Sequence, residues 1–227
     1  MKLSGGRGAW AGGGKRLFDI VVSGTALAIA IWPMLVIGWL VRRRLGAPVL
    51  FRHQRPGRDG RPFELLKFRT MREARDASGK PLPDAERLTL FGRWLRETSL
   101  DELPELWNIF KGDMSLVGPR PLLMDYLDWY TPEQARRNEV RPGLTGWAQV
   151  NGRNVQSWDE RFAHDLFYVE NLSLLLDLRI LALTAGRVLG REGVSAEGHV
   201  TMPRFDDEVR AGRARGYDRT VSGDDRT

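Results

Sequence analysis

The sequence predicts an α+β fold: a mostly helical single domain with one short β-hairpin, preceded by an apolar membrane helix. Three observations carry this expectation. The run from Ile20 to Val41 holds no charged residue. The turn Pro56-Gly57-Arg58-Asp59-Gly60 separates two short apolar stretches, Val49-Leu50-Phe51 and Phe63 to Phe68. Beyond Leu88, apolar residues recur mainly at helical spacing. A chain of 227 residues can build one compact core, with little left for a second.

Lys and Arg total 35 against 29 Asp and Glu, and the net charge of +6 calls for an anionic partner, whether lipid, nucleotide or nucleic acid. Cysteine is absent, which excludes disulfide scaffolds, thiolate zinc sites and cysteine nucleophiles. His53, His164 and His199 are scattered without metal-ligand spacing and read as ordinary surface or core residues. Residues 1–14 are glycine-rich, and residues 206–227 form a polar tail of mixed charge. Both ends are expected to be unstructured. That leaves a membrane helix over 15–44 and a globular domain over 45–205.

As one straight helix, Ile20 to Val41 would extend roughly 33 Å, about the thickness of a bilayer's hydrocarbon core. Pro33 lies inside it and predicts a kink or break at Trp32-Pro33. Basic residues flank both ends: Lys15 and Arg16 before, Arg42, Arg43 and Arg44 after. A simple span carries its positive charge mainly on one side. Basic ends on both sides suit a re-entrant helix that returns to the face it entered, and a kinked spanning helix is the alternative.

Between Arg42 and Arg75 the basic residues far outnumber Asp59, Glu64 and Glu73, a composition suited to anionic headgroups or to a solvated face. Residues 76–86, with Gly79, Pro81 and Pro83, read as a loop that could gate a site. Helices are expected over Leu88–Arg96, from Leu103 to Phe110, and around Leu122–Tyr130, Pro132–Val140 and Trp158–Val169. The apolar stretch Leu172 to Leu189 either lies along the membrane surface as an amphipathic interfacial helix or closes the core.

The chemistry concentrates in Ser99-Leu100-Asp101-Glu102-Leu103-Pro104. Ser99-x-x-Glu102 has the form of a helix capping box, and acidic residues are common in a first helical turn. Pro104 argues instead for Asp101 as the N-cap, because the proline then falls where no N–H is needed. A carboxylate at such a helix mouth can attack phosphorus when Mg2+ and arginine draw charge off the phosphate. Glu102 would serve as a base or second metal contact. Downstream, Gly118-Pro119-Arg120-Pro121 fixes Arg120 between two prolines. Lys67, Arg69 and Arg96 are further candidates for the same pocket.

These residues resemble a known family, the monotopic bacterial sugar transferases or polyprenyl-phosphate phosphoglycosyl transferases. The resemblance covers Lys15 to Phe205. It includes Lys15-Arg16-Leu17-Phe18-Asp19, Pro48-Val49-Leu50-Phe51, Lys67-Phe68-Arg69-Thr70-Met71, the Ser99 to Pro104 motif and Lys111 through Pro121. It continues from Arg141-Pro142-Gly143 to Asn151-Gly152-Arg153-Asn154. The resemblance implies a re-entrant helix in the cytoplasmic leaflet of the bacterial inner membrane. It also implies an aspartate nucleophile at Asp101 that holds Mg2+, with Glu102 as its neighbour. The implied reaction moves a sugar-1-phosphate from a UDP-sugar to undecaprenyl phosphate, releases UMP, and passes through a covalent phospho-sugar aspartate. Arg141, Gln149, Asn151 and Arg153 join Lys67, Arg96, Gly118, Pro119, Arg120 and Pro121 as candidate ligands of phosphate or nucleotide-sugar. The ending Gly193 to Thr201 resembles enzymes that use UDP-N,N'-diacetylbacillosamine, with UDP-glucose or UDP-galactose as the alternative donor. One departure stands out: Trp32 precedes Pro33 where many relatives carry serine.

Direct attack by the lipid phosphate, without an enzyme-bound intermediate, is a rival mechanism. A nucleic-acid-binding module is disfavoured because the basic block lacks regularly spaced aromatics, so nucleic acid is not expected as a partner.

Overall fold

Helix α1 (Lys15–Leu45) is about 46 Å long and forms the spine on which the other elements are arranged. The computed structural model describes residues 10–152, 156–190 and 203–216. Both ends of α1 are fastened to the same globular body. At its start, Lys15 Nζ pairs with Asp177 at 2.7 Å, and the Arg16 guanidinium donates to the carbonyls of Ile109 and Phe110 at 2.7 and 2.6 Å. The buried Asp19 carboxylate accepts from Ser115 Oγ and the Leu116 amide. At its end, Ile37 and Val41 are buried against Phe68, Phe91 and Leu95, and Arg44 lies over the Phe91 ring. Between these anchors the helix bares Ile29 and Trp32, each 73% exposed.

Of the kink or break expected at Trp32-Pro33, the break is absent: the α-helix is assigned without interruption through Pro33. A proline deletes its own N–H bond and crowds one carbonyl, at a cost of about 3 kcal/mol, but its φ is compatible with a helix. With both ends docked, the turns on either side persist.

Strands β1 (Leu50–Pro56) and β2 (Pro62–Phe68) pair antiparallel, Leu50 facing Phe68 and Pro56 facing Pro62. Asp59 and Gly60 take the positive φ values that the reversal between them requires. The 76–86 segment is a turn organised by Asp76, whose Oδ1 accepts from Ser78 N, Ser78 Oγ and Lys80 N, followed by the single turn α2 (Asp84–Arg87).

Helix α3 (Leu90–Glu97) is capped by Thr89, and α4 (Glu105–Lys111) ends on Gly112 at φ 104°. Two strands of three residues follow, β3 (Ser115–Val117) and β4 (Gly143–Thr145), paired in parallel. The helix expected over Leu122–Tyr130 is a 3-10 turn, Met124–Trp129. That expected over Pro132–Val140 divides into α5 (Pro132–Ala135) and a 3-10 turn, Arg136–Glu139. Helices α6 (Trp147–Asn151), α7 (Trp158–Asn171) and α8 (Leu174–Gly190) complete the body.

Helix α8 closes the core. Its Ile180 is fully buried with Ile109, Met114, Val117 and Tyr168. Its Asp177 receives hydrogen bonds from Trp10 Nε1 and Lys15 Nζ and lies 2.7 Å from Tyr168 OH. The opposite face shows Leu175, 74% exposed.

Residues 1–9 and 217–227 lie outside the described residues, but the described parts of both ends are ordered. Trp10–Gly14 forms a π-helical turn, and α9 (Phe205–Arg210) docks on the domain. Phe205 is fully buried among Tyr126, Tyr130, Trp158 and Phe162, with ring centroids 5.1 to 5.8 Å apart. One aromatic side chain recovers enough apolar burial to order a polar segment around it.

Candidate active site

A cavity of about 860 Å³ opens between the hairpin, α3 and the loop after β3. Lys67, Arg96, Asp101, Glu102 and Arg120, chosen from separate stretches of sequence, all line it.

Asp101 sits in a 3-10 turn, Leu100–Glu102, one turn upstream of α4; Pro104, not Asp101, is the residue that caps α4. The reason lies at Ser99, which adopts φ 54°, ψ 16°. This left-handed residue reverses the chain between α3 and the 3-10 turn and takes Ser99 out of any capping box. Asp101 is only 8% exposed, and its carboxylate makes no hydrogen bond among the described residues. Burial and the neighbouring Glu102 charge push its carboxyl above the ordinary aspartate range, while Lys67, Arg96 and Arg120 pull the other way.

Glu102 is bound by cations. Its Oε1 accepts from Lys67 Nζ at 2.5 Å and from Arg120 Nη2 at 2.6 Å. Burial works against its charge, but the Arg120 guanidinium and Lys67 overcome it and hold the carboxyl at about 2. Lys67 also lies 3.1 Å from Glu105, which is nearly fully buried. Burial and the Glu102 charge push the Glu105 carboxyl up to about 7. Glu102 is thus the ionised member and Glu105 the one that keeps a proton near neutrality.

Arg120 is placed by its backbone. The Pro119 carbonyl accepts from Gly143 N at 3.0 Å, and the Arg120 carbonyl accepts from Arg137 Nη2 at 2.7 Å. Arg137 is buried and clasps Asp165 through Nε and Nη2. Gly118 permits the close passage of β3 and β4, since a Cβ there would lie 2.4 Å from the Arg141 carbonyl. Pro119 and Pro121 are buried beside it. Arg96 is oriented by Thr70, whose Oγ1 accepts from Arg96 Nε at 3.0 Å.

Six of the proposed ligands stand outside the cavity lining: Gly118, Pro119 and Pro121, which flank Arg120, and Arg141, Gln149 and Asn151. Arg141 Nε donates to the Gly112 carbonyl, Gln149 Nε2 to the Leu144 carbonyl and Asn151 Nδ2 to the Trp147 carbonyl. Arg141 and Gln149 fasten one backbone segment to another, and Asn151 bonds within its own helix. Arg153 and the Gly193 to Thr201 stretch lie outside the described residues. Conversely, Arg52, Arg55 and Arg87 line the cavity without having been singled out. Arg52 and Arg55 carried only the basic composition from Arg42 to Arg75 as a signal, which reads equally as a solvated face, and Arg87 carried none. Arg69 lines it too, while its guanidinium caps α1 through the carbonyls of Leu45 and Ala47.

The fold and site define a membrane-associated protein with a buried carboxylate inside a cation-lined cavity. Residues 10–191 match the family model of the bacterial sugar transferases. The chain is 54% identical over 191 residues to an uncharacterized sugar transferase, EpsL, of Bacillus subtilis, covering 84% of this chain and 95% of the relative. It is 42% identical over 196 residues to an undecaprenyl-phosphate galactose phosphotransferase of Salmonella typhimurium, covering 79% of this chain and 41% of the relative. It is 41% identical over 191 residues to a UDP-glucose:undecaprenyl-phosphate glucose-1-phosphate transferase of Xanthomonas campestris, covering 78% and 39% respectively. The chain therefore spans nearly all of the Bacillus relative and about two fifths of the other two. It belongs to the bacterial sugar transferase family.

Proposed function

We propose that this chain transfers a sugar-1-phosphate from a UDP-sugar to undecaprenyl phosphate, releasing UMP, through a phospho-sugar ester on Asp101. The observation that carries the proposal is the Asp101 carboxylate: buried, without a hydrogen-bonding partner among the described residues, and surrounded by Lys67, Arg96 and Arg120.

A carboxylate oxygen of Asp101 attacks the sugar-side phosphorus, and the bond from that phosphorus to the bridging oxygen breaks. UMP leaves with the electron pair. A phosphate oxygen of the lipid then attacks the same phosphorus, and the bond to the Asp101 oxygen breaks. The surrounding cations stabilise charge that develops on the phosphate oxygens during both displacements. Held near 2 by two cations, Glu102 is a poor base at neutral pH. Its part is to orient Lys67 and Arg120.

Mg2+ belongs to the same proposal. One free carboxylate suits an ion carried by a diphosphate, which keeps water and substrate oxygens as its other ligands. Asp101 would hold it, and when bound it withdraws charge from the phosphate under attack.

The proposed membrane mode is supported by α1. If it crossed the bilayer its ends would lie some 30 Å apart on opposite faces, yet Lys15 and Arg44 contact one globular body. A re-entrant helix in the cytoplasmic leaflet, with Ile29 and Trp32 in lipid, accommodates both. The named relatives make UDP-galactose and UDP-glucose the first donors to test. The sequence ending keeps UDP-N,N'-diacetylbacillosamine in the same panel.

The test is UMP release across that panel by wild type and Asp101→Asn in membranes containing undecaprenyl phosphate. Release with at least one donor is expected, falling about a thousandfold or more in the variant while it stays membrane-bound. Undiminished release from Asp101→Asn would overturn the nucleophile assignment.

A further inference from the structure

Two cavity arginines, Arg55 and Arg69, have a buried Nε without a hydrogen-bond partner, but Arg69 donates its other nitrogens to the Ala47 and Leu45 carbonyls, whereas the Arg55 side chain makes neither a hydrogen bond nor an ion pair among the described residues. The other arginines of the wall are engaged. Arg52 pairs with Glu64, Arg87 with Asp84 and Arg120 with Glu102, while Arg69 and Arg96 donate to oxygens of Leu45, Ala47 and Thr70. Arg55 is held on β1 opposite Phe63, so its backbone is fixed by the hairpin ladder. A buried cationic donor left without an acceptor is costly in a finished structure. Burial pulls the Arg55 guanidinium below its ordinary range, and the charge on Arg120 pulls it the same way. Arg55 and Arg120 line the same cavity, and Glu105, the carboxyl near both, is held toward its protonated form, so positive charge is left there for an anion to meet. That anion need not come from the protein.

We infer that Arg55 and Arg120 form a two-armed phosphate clamp, and that the phosphate it takes is the one departing with the nucleotide. The inference rests on the proposed transfer reaction for its ligand and on the orphaned guanidinium for its existence. Position favours the donor's phosphate over the lipid's. Much of the apolar lining of the cavity, including Pro48, Leu50 and Phe68, lies toward the end where α1 closes the hairpin. Arg55 lies five residues along the strand from Leu50, about 16 Å away. A lipid phosphate rising beside α1 meets the apolar end first.

A planar fork suits this task, since arginine binds two phosphate oxygens at once whereas lysine offers a point charge. It also shields the leaving phosphate's charge as the bond to the sugar-side phosphorus breaks.

The test measures binding of UMP, uridine and geranyl phosphate to the full-length protein in lipid nanodiscs, for wild type, Arg55→Gln and Arg55→Lys. Melting temperatures are recorded alongside. Loss of a charge-assisted hydrogen bond should weaken UMP binding of Arg55→Gln by roughly 10- to 100-fold, with Arg55→Lys in between. Uridine binding should change less than about twofold. Unchanged UMP affinity in both variants would overturn the clamp, as would equal losses for UMP and uridine, which indicate a structural role. Selective loss of geranyl phosphate would overturn the assignment to the nucleotide. Should wild type bind UMP through Arg55 yet release none from any UDP-sugar, the clamp stands and the proposed reaction falls.

Discussion

The Arg137 guanidinium donates to the main-chain carbonyl of Arg120 at 2.7 Å, and so holds from behind the residue whose side chain grips Glu102. Arg137 can do this because Asp165 fixes its other edge inside the core. A buried ion pair remote from the cavity thereby sets the position of a cavity cation.

Two outcomes follow for Arg137. Arg137→Met leaves Asp165 buried and unpaired, and should lower stability by about 3–5 kcal/mol in chemical denaturation. Arg137→Lys keeps the charge but cannot serve Asp165 and the carbonyl together, so UMP release should fall roughly ten- to a hundredfold. In an Arg120→Ala background the same change should have almost no further effect, because it acts through Arg120.

Glu105 gives a signed dependence on pH. Its carboxyl ionises near 4.5 in the unfolded chain and about 7 in the fold. The fold favours the protonated form, so this group's stabilisation is complete below pH 4.5 and is lost as pH rises to 7. Glu102 has the opposite sign: its contribution is complete above pH 4.5 and lost as pH falls toward 2. Glu105→Gln should therefore raise stability at pH 8 by on the order of 1–3 kcal/mol in chemical denaturation, and flatten the dependence of stability on pH between 4.5 and 7.

The docking of both ends of α1 is testable because the chain has no cysteine of its own. Single cysteines introduced by Ala11→Cys and Arg43→Cys should react with an impermeant maleimide from the same side of sealed vesicles. Labelling from opposite sides would establish a span.

Gly92 lets α3 lie against the hairpin's exit. A Cβ at that position would come within 1.7 Å of the Thr70 carbonyl. Gly92→Ala must push α3 away, carrying Arg96 off Thr70, and should cost about 1–3 kcal/mol together with a loss of turnover. Paired denaturation and UMP-release assays would show both.

Much of this architecture was legible in residue order. The uncharged run gave α1, the Pro-Gly turn gave the hairpin, and the helical spacing of Leu103, Leu106, Trp107 and Phe110 gave α4. Asp101, Glu102 and Arg120 stood out through rigid neighbours, and the fold brings them to one cavity with Lys67 and Arg96. What was hidden depended on long-range contact. Strands β3 and β4 are three residues each, too short for a period of two to register. Ser99 carries no compositional sign of its left-handed backbone, so Asp101 was assigned to the wrong turn. The tail beyond Phe205 reads as polar because its anchor, a pocket of Tyr126, Tyr130, Trp158 and Phe162, comes from elsewhere in the chain. Arg55 was one basic residue among many until the cavity separated it from its solvated neighbours.

Whether phosphorus bonds to Asp101 is best tested by incubating the protein with a UDP-sugar labelled in the sugar, with Mg2+ and without any lipid phosphate, then quenching in acid. Intact-protein mass should rise by one sugar phosphate on a peptide containing Asp101, with UMP released in equal amount and neither seen in Asp101→Asn. Labelled product that forms only when the lipid phosphate is present, with the protein mass unchanged throughout, would contradict the covalent path.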